Sequence, residues 1–205
     1  MKLIRLILIF SVIFSFKVSA TDIKLTETEN NLTIVKNNLT EFTFINHLSK
    51  LQTAIVKTEE GEFIKLIVPG YGENAKQGNA ELPVLKELIN VPLGSSIDIQ
   101  VLNIEEEIVE LSNYGINKYI IPSQPSISKA TNVEDIPFYF NKDYYNKNIF
   151  FDKKLVDTQF LGLMRGQQLA RITISPFKYN PVKNQIRVVT KMEIRIIFKN
   201  IDITS

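Results

Sequence analysis

Cysteine and tryptophan are both absent from the 205 residues, and histidine occurs once, at His47. Without a thiol the chain has no cysteine nucleophile, no thiolate metal site, no haem tether and no disulfide, so its stability must come from apolar burial. A lone histidine without nucleophile or metal partners does not make a catalytic constellation. Also missing are a glycine-rich phosphate loop, an H-E-x-x-H helix and a G-x-S-x-G elbow. Gly70-Tyr71-Gly72 follows Pro69 as a turn, and no helix comes after it to hold a phosphate. No basic block stands out, which leaves nucleic acid without support as a partner. After residue 20 no segment sustains a 3.6-residue period. The nearest approach, Ala80 to Leu88, is interrupted by Pro83.

The chain does have a three-part start. Met1-Lys2-Leu3-Ile4-Arg5 is basic, Leu6 to Phe16 is apolar except for Ser11 and Ser15, and Val18-Ser19-Ala20 puts small residues where a signal peptidase reads. Eleven mostly apolar residues followed by Lys17 fall short of the roughly 20 a membrane helix needs, so no stable span is expected. The expectation is Sec export with cleavage between Ala20 and Thr21, and one domain over residues 21–205. This location is periplasmic, secreted or at the cell surface. Lys2, Arg5 and Lys17 account for three of the 24 basic residues, leaving 21 against 22 acidic. The exported part is therefore close to neutral.

Two-residue alternation dominates the remainder. Ile186, Val188, Met192, Ile194, Ile196 and Phe198 are predicted to share one strand face, with Arg187, Lys191, Glu193, Arg195 and Lys199 opposite. Ala170, Ile172 and Ile174 alternate in the same way. Leu51–Thr58 and Glu62–Val68 flank Glu59-Glu60-Gly61, a hairpin signal. Ile97–Val101, Ile108–Leu111, Tyr119–Ile121, Asn31–Val35 and Phe42–Ile45 read as further strands, and Pro122 to about Asp152 is less regular. Eight or more short strands with turns between them predict an all-β fold, an antiparallel, jelly-roll-like β-sandwich.

Other features have two readings at this stage. Glu105-Glu106-Glu107 is a solvated strand edge rather than a metal site, given the number of oxygen ligands a metal requires. No metal or cofactor is expected. Asn31-Leu32-Thr33 and Asn38-Leu39-Thr40 fit a glycosylation pattern but read as strand-end polar residues. Phe138-Tyr139-Phe140, Tyr144-Tyr145 and Phe150-Phe151 fill a core or stack on sugar rings. The second choice would make the chain a secreted carbohydrate- or surface-binding module.

Four motifs in order narrow the reading. Gly78 to Leu82-Pro83 resembles a G-x-x-x-LP element. Ile136-Pro137-Phe138 with Tyr144-Tyr145 resembles an IPY…SY segment. Arg165-Gly166-Gln167 resembles an RGQ turn, and Tyr179-Asn180-Pro181-Val182 a YNPV element. Together, over about residues 50–199, the chain resembles the N-terminal propeptide of gingipains, the peptidase C25 group. The resemblance implies a β-sandwich that caps the catalytic domain of a C25 cysteine peptidase, in cis or in trans, and keeps the zymogen latent. It also implies type IX secretion after Sec export. The catalytic domain with its Cys and His is absent here, so the chain is expected to be no enzyme itself: a pro-domain, a truncated peptidase precursor or a free-standing inhibitor.

The family places a basic side chain in the loop before the IPY segment. That loop resembles Pro122 to Ala130, and the matching position is Lys129, between Ser128 and Ala130. By itself Lys129 is an ordinary solvated lysine. The resemblance implies that it fills the acidic S1 pocket of a peptidase that cleaves after Lys or Arg. Pro122 and Pro125 limit the loop's freedom before binding. Arg165 is read as structural, pairing with a carboxylate or carbonyl at a strand end. Tyr179 and Asn180 are read as turn-stabilising.

Overall fold

The computed structural model describes residues 20–126, 136–151 and 153–201. They contain twelve strands: β1 (Ala20–Lys24), β2 (Asn31–Asn37), β3 (Glu41–His47), β4 (Lys50–Thr58), β5 (Gly61–Ile67), β6 (Gly72–Glu73), β7 (Pro83–Val91), β8 (Ser96–Glu110), β9 (Val156–Met164), β10 (Gln167–Ile174), β11 (Phe177–Asn180) and β12 (Gln185–Lys199). Helical structure is limited to a 3₁₀ turn at Leu111–Tyr114 and the single turn α1 (Lys142–Tyr145). No helix among the described residues is long and apolar enough to cross a membrane. Residues 1–19 lie outside the described set. Ala20 and Thr21, between which the cut is expected, open β1 opposite Ala54 and Thr53.

The strands form three sheets, ordered β1-β4-β5, β6-β7-β10-β9 and β11-β12-β3-β2, with β8 along the other edge of β12. All strand pairings are antiparallel. The expected antiparallel sandwich is borne out. The hairpin predicted at Glu59-Glu60-Gly61 joins β4 to β5, with Thr58 opposite Gly61. The two strands predicted at Ile97–Val101 and Ile108–Leu111 are one 15-residue strand, β8. The three glutamates between them broke the apolar pattern. An edge strand exposed on both sides accommodates those charges, and Glu105 pairs with Lys191 at 2.9 Å. Ala80–Leu88 contributes most of β7.

The alternating apolar residues of β12 do not share one face. Ile186 and Val188 join a core with Leu51, Ile64, Leu66, Tyr145 and Tyr179. Val189, Met192, Ile194, Ile196 and Phe198 join a second core with Phe44, Val91, Ala170, Ile172 and Ile174. The cause is a bulge. Val189 faces Glu106 on β8, but Lys191 faces Glu105, so Thr190 is one residue too many on β12. An extra residue inverts the alternation after it. The bulge lies where the other neighbour of β12 changes from β11 to β3. Its polar groups are satisfied: the Thr190 carbonyl accepts from Leu48 N at 2.8 Å, and its hydroxyl donates to the Glu105 carbonyl at 3.2 Å. Thus β12 serves both cores, one on each of its sides.

Candidate functional site: the base of the 124–139 loop

The irregular stretch after the 3₁₀ turn is held by backbone hydrogen bonds rather than by a sheet. Tyr119 O accepts from Ile64 N at 2.9 Å, and Ile121 N donates to Ile64 O at 2.8 Å. Ile120 is fully buried, and its carbonyl accepts the Tyr145 hydroxyl at 2.6 Å. Glu81 N then bonds Ile121 O, Ser123 N bonds Asn79 O, and Gly78 N bonds Ser123 O, each at 2.8 Å. These bonds fix the first leg of a loop, Tyr119 to Gln124, against the turn at Gly78–Asn79.

The second leg returns to the same turn. Asn141 N donates to Gly78 O at 2.9 Å, and Asn141 Nδ2 donates to Asn79 Oδ1 at 2.8 Å. Asn141 also caps α1, accepting from Tyr144 N. α1 in turn places two tyrosines under the loop base. Tyr145 stacks on Phe140 with 4.3 Å between ring centroids, and Tyr144 on Phe151 at 4.1 Å. Phe138 packs on Phe63 at 5.5 Å. Burial pushes the hydroxyls of Tyr144, Tyr145 and Tyr179 well above the usual phenol range.

One side chain joins the legs directly. Gln124 Oε1 accepts from Tyr139 N, and Gln124 Nε2 donates to Tyr139 O, both at 3.0 Å. The same Nε2 also donates to Pro122 O at 3.0 Å. The amide therefore meets both backbone groups of Tyr139, as a neighbouring strand would.

The motifs acquire physical reasons. Gly78 has φ +80°, and a Cβ there would lie 3.1 Å from Asn141 N and 3.3 Å from Asn141 Cβ. Only glycine lets the second leg approach the turn. Gly78→Ala is expected to cost about 1–3 kcal/mol in urea unfolding. Gly115→Ala is the control, because at φ +73° it has nothing within 4 Å. It carries the backbone strain alone and is expected to cost less. Equal costs would show that close approach of Asn141 is not what requires glycine at 78.

The Tyr179 hydroxyl bonds Asn184 Oδ1 at 2.8 Å and Asn180 Oδ1 accepts from Lys183 N at 3.2 Å, so the turn-stabilising roles hold. Arg165 and Gly166 form the β9–β10 hairpin tip, with φ 52° and 79°. Arg165 is exposed and has no carboxylate or carbonyl partner among the described residues, contrary to expectation. His47 ends β3. Tyr144 and Tyr145, the candidate sugar platform, are buried with their faces taken by Phe151 and Phe140. Among the described residues no group of three His, Cys, Asp or Glu could hold a metal.

Ser128, Lys129 and Ala130 lie outside the described residues. The structure brings together the chain on either side of them. The sequence reading missed Gln124. A glutamine between two prolines marks a loop, and nothing local shows that its amide reaches a residue 15 positions on.

The fold has counterparts among known proteins. The family model described as Propeptide_C25 matches residues 25–205. Lys-gingipain of Porphyromonas gingivalis is 33% identical over 154 residues, covering 75% of this chain and 9% of that protein. Gingipain R2 of the same organism is 24% identical over 152 residues, covering 73% of this chain and 19% of that protein. This chain thus spans a small part of the length of the relatives it matches. A solved structure described as giving insight into the zymogenic latency of gingipain K from P. gingivalis superposes with TM-score 0.84 and 30% identity, over 88% of this chain and 99% of that one. A complex of P. gingivalis RgpB pro- and mature domains shares the fold, with TM-score 0.68, 19% identity, and coverage of 83% and 85%. With a family match across nearly the whole chain and a two-legged loop base built from that family's motifs, the chain belongs to the C25 propeptide family.

Proposed function

We propose that this chain is the inhibitory and folding-assisting pro-domain of a secreted C25 cysteine peptidase, and that Lys129, flanked by Ser128 and Ala130, fills the acidic S1 pocket of that enzyme. The observation that carries the reading is the loop base. Two chain segments 15 residues apart are tied to one turn and to each other, and Lys129 lies between them in sequence. Holding the two ends of a loop together before binding reduces the entropy lost on docking, which is what an inhibitor requires. Export follows from the segment at residues 1–20, with cleavage after Ala20. Thr21 to Lys24 then remain to pair with Thr53 to Lys50.

A buried ammonium–carboxylate pair is worth ~2–5 kcal/mol when one partner is truncated. That is roughly 30-fold to several thousand-fold in affinity. The purified domain is expected to inhibit a C25 peptidase that cleaves after Lys or Arg, and Lys129→Ala to weaken that inhibition at least tenfold. Equal inhibition by the variant removes Lys129 from the mechanism. No inhibition by the wild-type domain overturns the reading as a whole.

A further inference from the structure

Two partly buried lysines bond the adjacent residues Glu73 and Asn74, and they are satisfied differently. Lys65 has two carboxylates, Glu73 at 2.8 Å and Glu81 at 3.2 Å, and the bond to Glu73 holds its ammonium above the usual lysine range. Lys153 has one polar partner among the described residues, the neutral Asn74 carbonyl at 2.7 Å. Burial, with Lys86 beside it, holds the Lys153 ammonium below the usual lysine range. Lys86 itself bonds the preceding carbonyl, Glu73 O, at 3.1 Å. Two cations therefore share one short stretch of backbone, and neither has a carboxylate partner among the described residues.

Lys153 lines a cavity of about 270 Å³. Leu82, Phe151, Phe177 and the ring of Tyr179 give it apolar walls. Its unused polar groups include three kinds of donor. A lysine ammonium has three N–H groups, and Lys153 spends one on Asn74 O. Tyr144 lines the same cavity, with its ring fixed against Phe151 at 4.1 Å and its hydroxyl without a hydrogen-bond partner among the described residues. Asn79 accepts at Oδ1 from Asn141, while its Nδ2 has no partner among the described residues. No Asp or Glu is among the described residues that line the cavity. We propose that this cavity binds a carboxylate carried on a small ring or a short apolar stem, with Lys153 as its counter-ion and Tyr144 and Asn79 as neutral donors.

Each feature selects part of that ligand. A hydrogen bond between charged partners is about twice as strong as one between neutral groups, so a partly desolvated ammonium bonded only to a carbonyl favours an anionic acceptor. The ammonium accepts this second partner without giving up Asn74, because it keeps two free N–H groups. A sulfate or phosphate would leave oxygens unbonded against Phe151 and Phe177, whereas an apolar stem is buried there at a gain. Pockets for drug-sized ligands run to ~300–1,000 Å³. The smaller volume here admits one ring or one side chain. Two sources carry this chemistry: a free small acid, and an acidic side chain of a protein laid over the cavity mouth, where Asn74 and Lys76 are exposed. The site is separate from the inhibitory role of Lys129 and does not depend on it.

The test uses the whole domain, with hydrocinnamate as the probe and its uncharged amide, hydrocinnamamide, as the comparison. Both are titrated at fixed salt while the backbone amides of Asn74, Ala75 and Asn79 are followed by NMR. The acid is expected to bind in the millimolar range usual for so small a ligand and to shift those amides, and the uncharged compound to bind at least tenfold more weakly. Lys153→Met keeps the apolar stem and should lose the preference for the acid. Tyr144→Phe keeps the stack on Phe151 and should weaken the acid by about threefold or more. A lysine that only held Asn74 in place would lower the urea midpoint when replaced, yet would give the wild type no preference for the acid. Equal binding of the two compounds by the wild type, or no shift at the cavity amides, overturns the proposal. If Lys153→Met does not fold, the wild-type comparison and Tyr144→Phe decide. Inhibition of a C25 peptidase with and without saturating hydrocinnamate separates the two sources. Weaker inhibition with the acid present means that the peptidase supplies the carboxylate, unchanged inhibition means a free acid, and the site stands in both cases.

Discussion

Deletion of Thr190 is expected to destabilise the fold by about 2–4 kcal/mol without exchanging the faces of β12. The extra residue on β12 lets Ile186 and Val188 enter one core while Met192, Ile194, Ile196 and Phe198 enter the other. In a regular ladder that kept Thr190, Val188 and Met192 would be four positions apart and on one face. With Thr190 removed they are three positions apart and stay on opposite faces. The pairs Val189–Glu106 and Lys191–Glu105 then become consecutive, and the pairing of Lys191–Ile197 with β3 keeps its register. What is lost is local: the carbonyl that accepts from the buried Leu48 N, and the hydroxyl bond to Glu105 O. A buried donor left without its acceptor costs about 1–3 kcal/mol, and the hydroxyl bond about 1 kcal/mol. Thr190→Val keeps the residue count and the carbonyl, and loses only the hydroxyl bond. The deletion variant should still unfold cooperatively in urea, with its midpoint well below that of Thr190→Val, which stays near the wild type. A deletion variant with no cooperative transition would show that the bulge itself is needed where β12 passes from β11 to β3.

The same bulge marks a limit of sequence reading. Before and after Thr190 the even-numbered positions are apolar, so the pattern looks unbroken although the facing direction changes. Periodicity gives which residues are buried, and here it found Ile186 through Phe198. Which core receives them is set by pairing with β8 and β3, strands more than 70 residues away. Short strands without clean alternation were harder still. Pro176, Asn180 and Pro181 surround β11 as they would a connection, yet Phe177 and Tyr179 are fully buried. The exposed end of β9 carries Phe160, Leu161, Leu163 and Met164 with no polar face to reveal a period. At the site, Gly78 and the Tyr144-Tyr145 pair were visible as motif residues, but their physical roles were not. Gly78 is needed because Asn141 approaches from 63 residues on, a fact about packing between distant segments. Gln124 left no local trace, because a side chain that bonds backbone selects for reach and not for pattern.

Tyr145→Ala is expected to be the most damaging single substitution at the loop base. The ring is 2% exposed and touches Phe140, Tyr144 and Tyr119 at centroid distances of 4.3–5.2 Å. Truncating a buried large aromatic typically costs about 3–5 kcal/mol. For a chain of this size that lowers the melting temperature by roughly 6–20 °C. Tyr145→Phe separates two contributions. It keeps the stack on Phe140 and removes only the hydroxyl that donates to Ile120 O. A buried carbonyl left without that donor costs about 1–3 kcal/mol. Ile120 lies in the first leg, directly before the residues bonded to Glu81 and Asn79, so the phenylalanine variant should loosen that leg while the rest of the core stays intact. Amide exchange of Ile121 and Ser123 is the measurement: both should accelerate in Tyr145→Phe, while the amides of Ile194 and Ile196 in the second core stay protected. Uniform acceleration across both cores would mean that the hydroxyl stabilises the whole fold and has no particular hold on the loop base. A Tyr145→Phe variant indistinguishable from wild type would show that water or a neighbouring donor satisfies Ile120, and that the aromatic stack alone supports the leg.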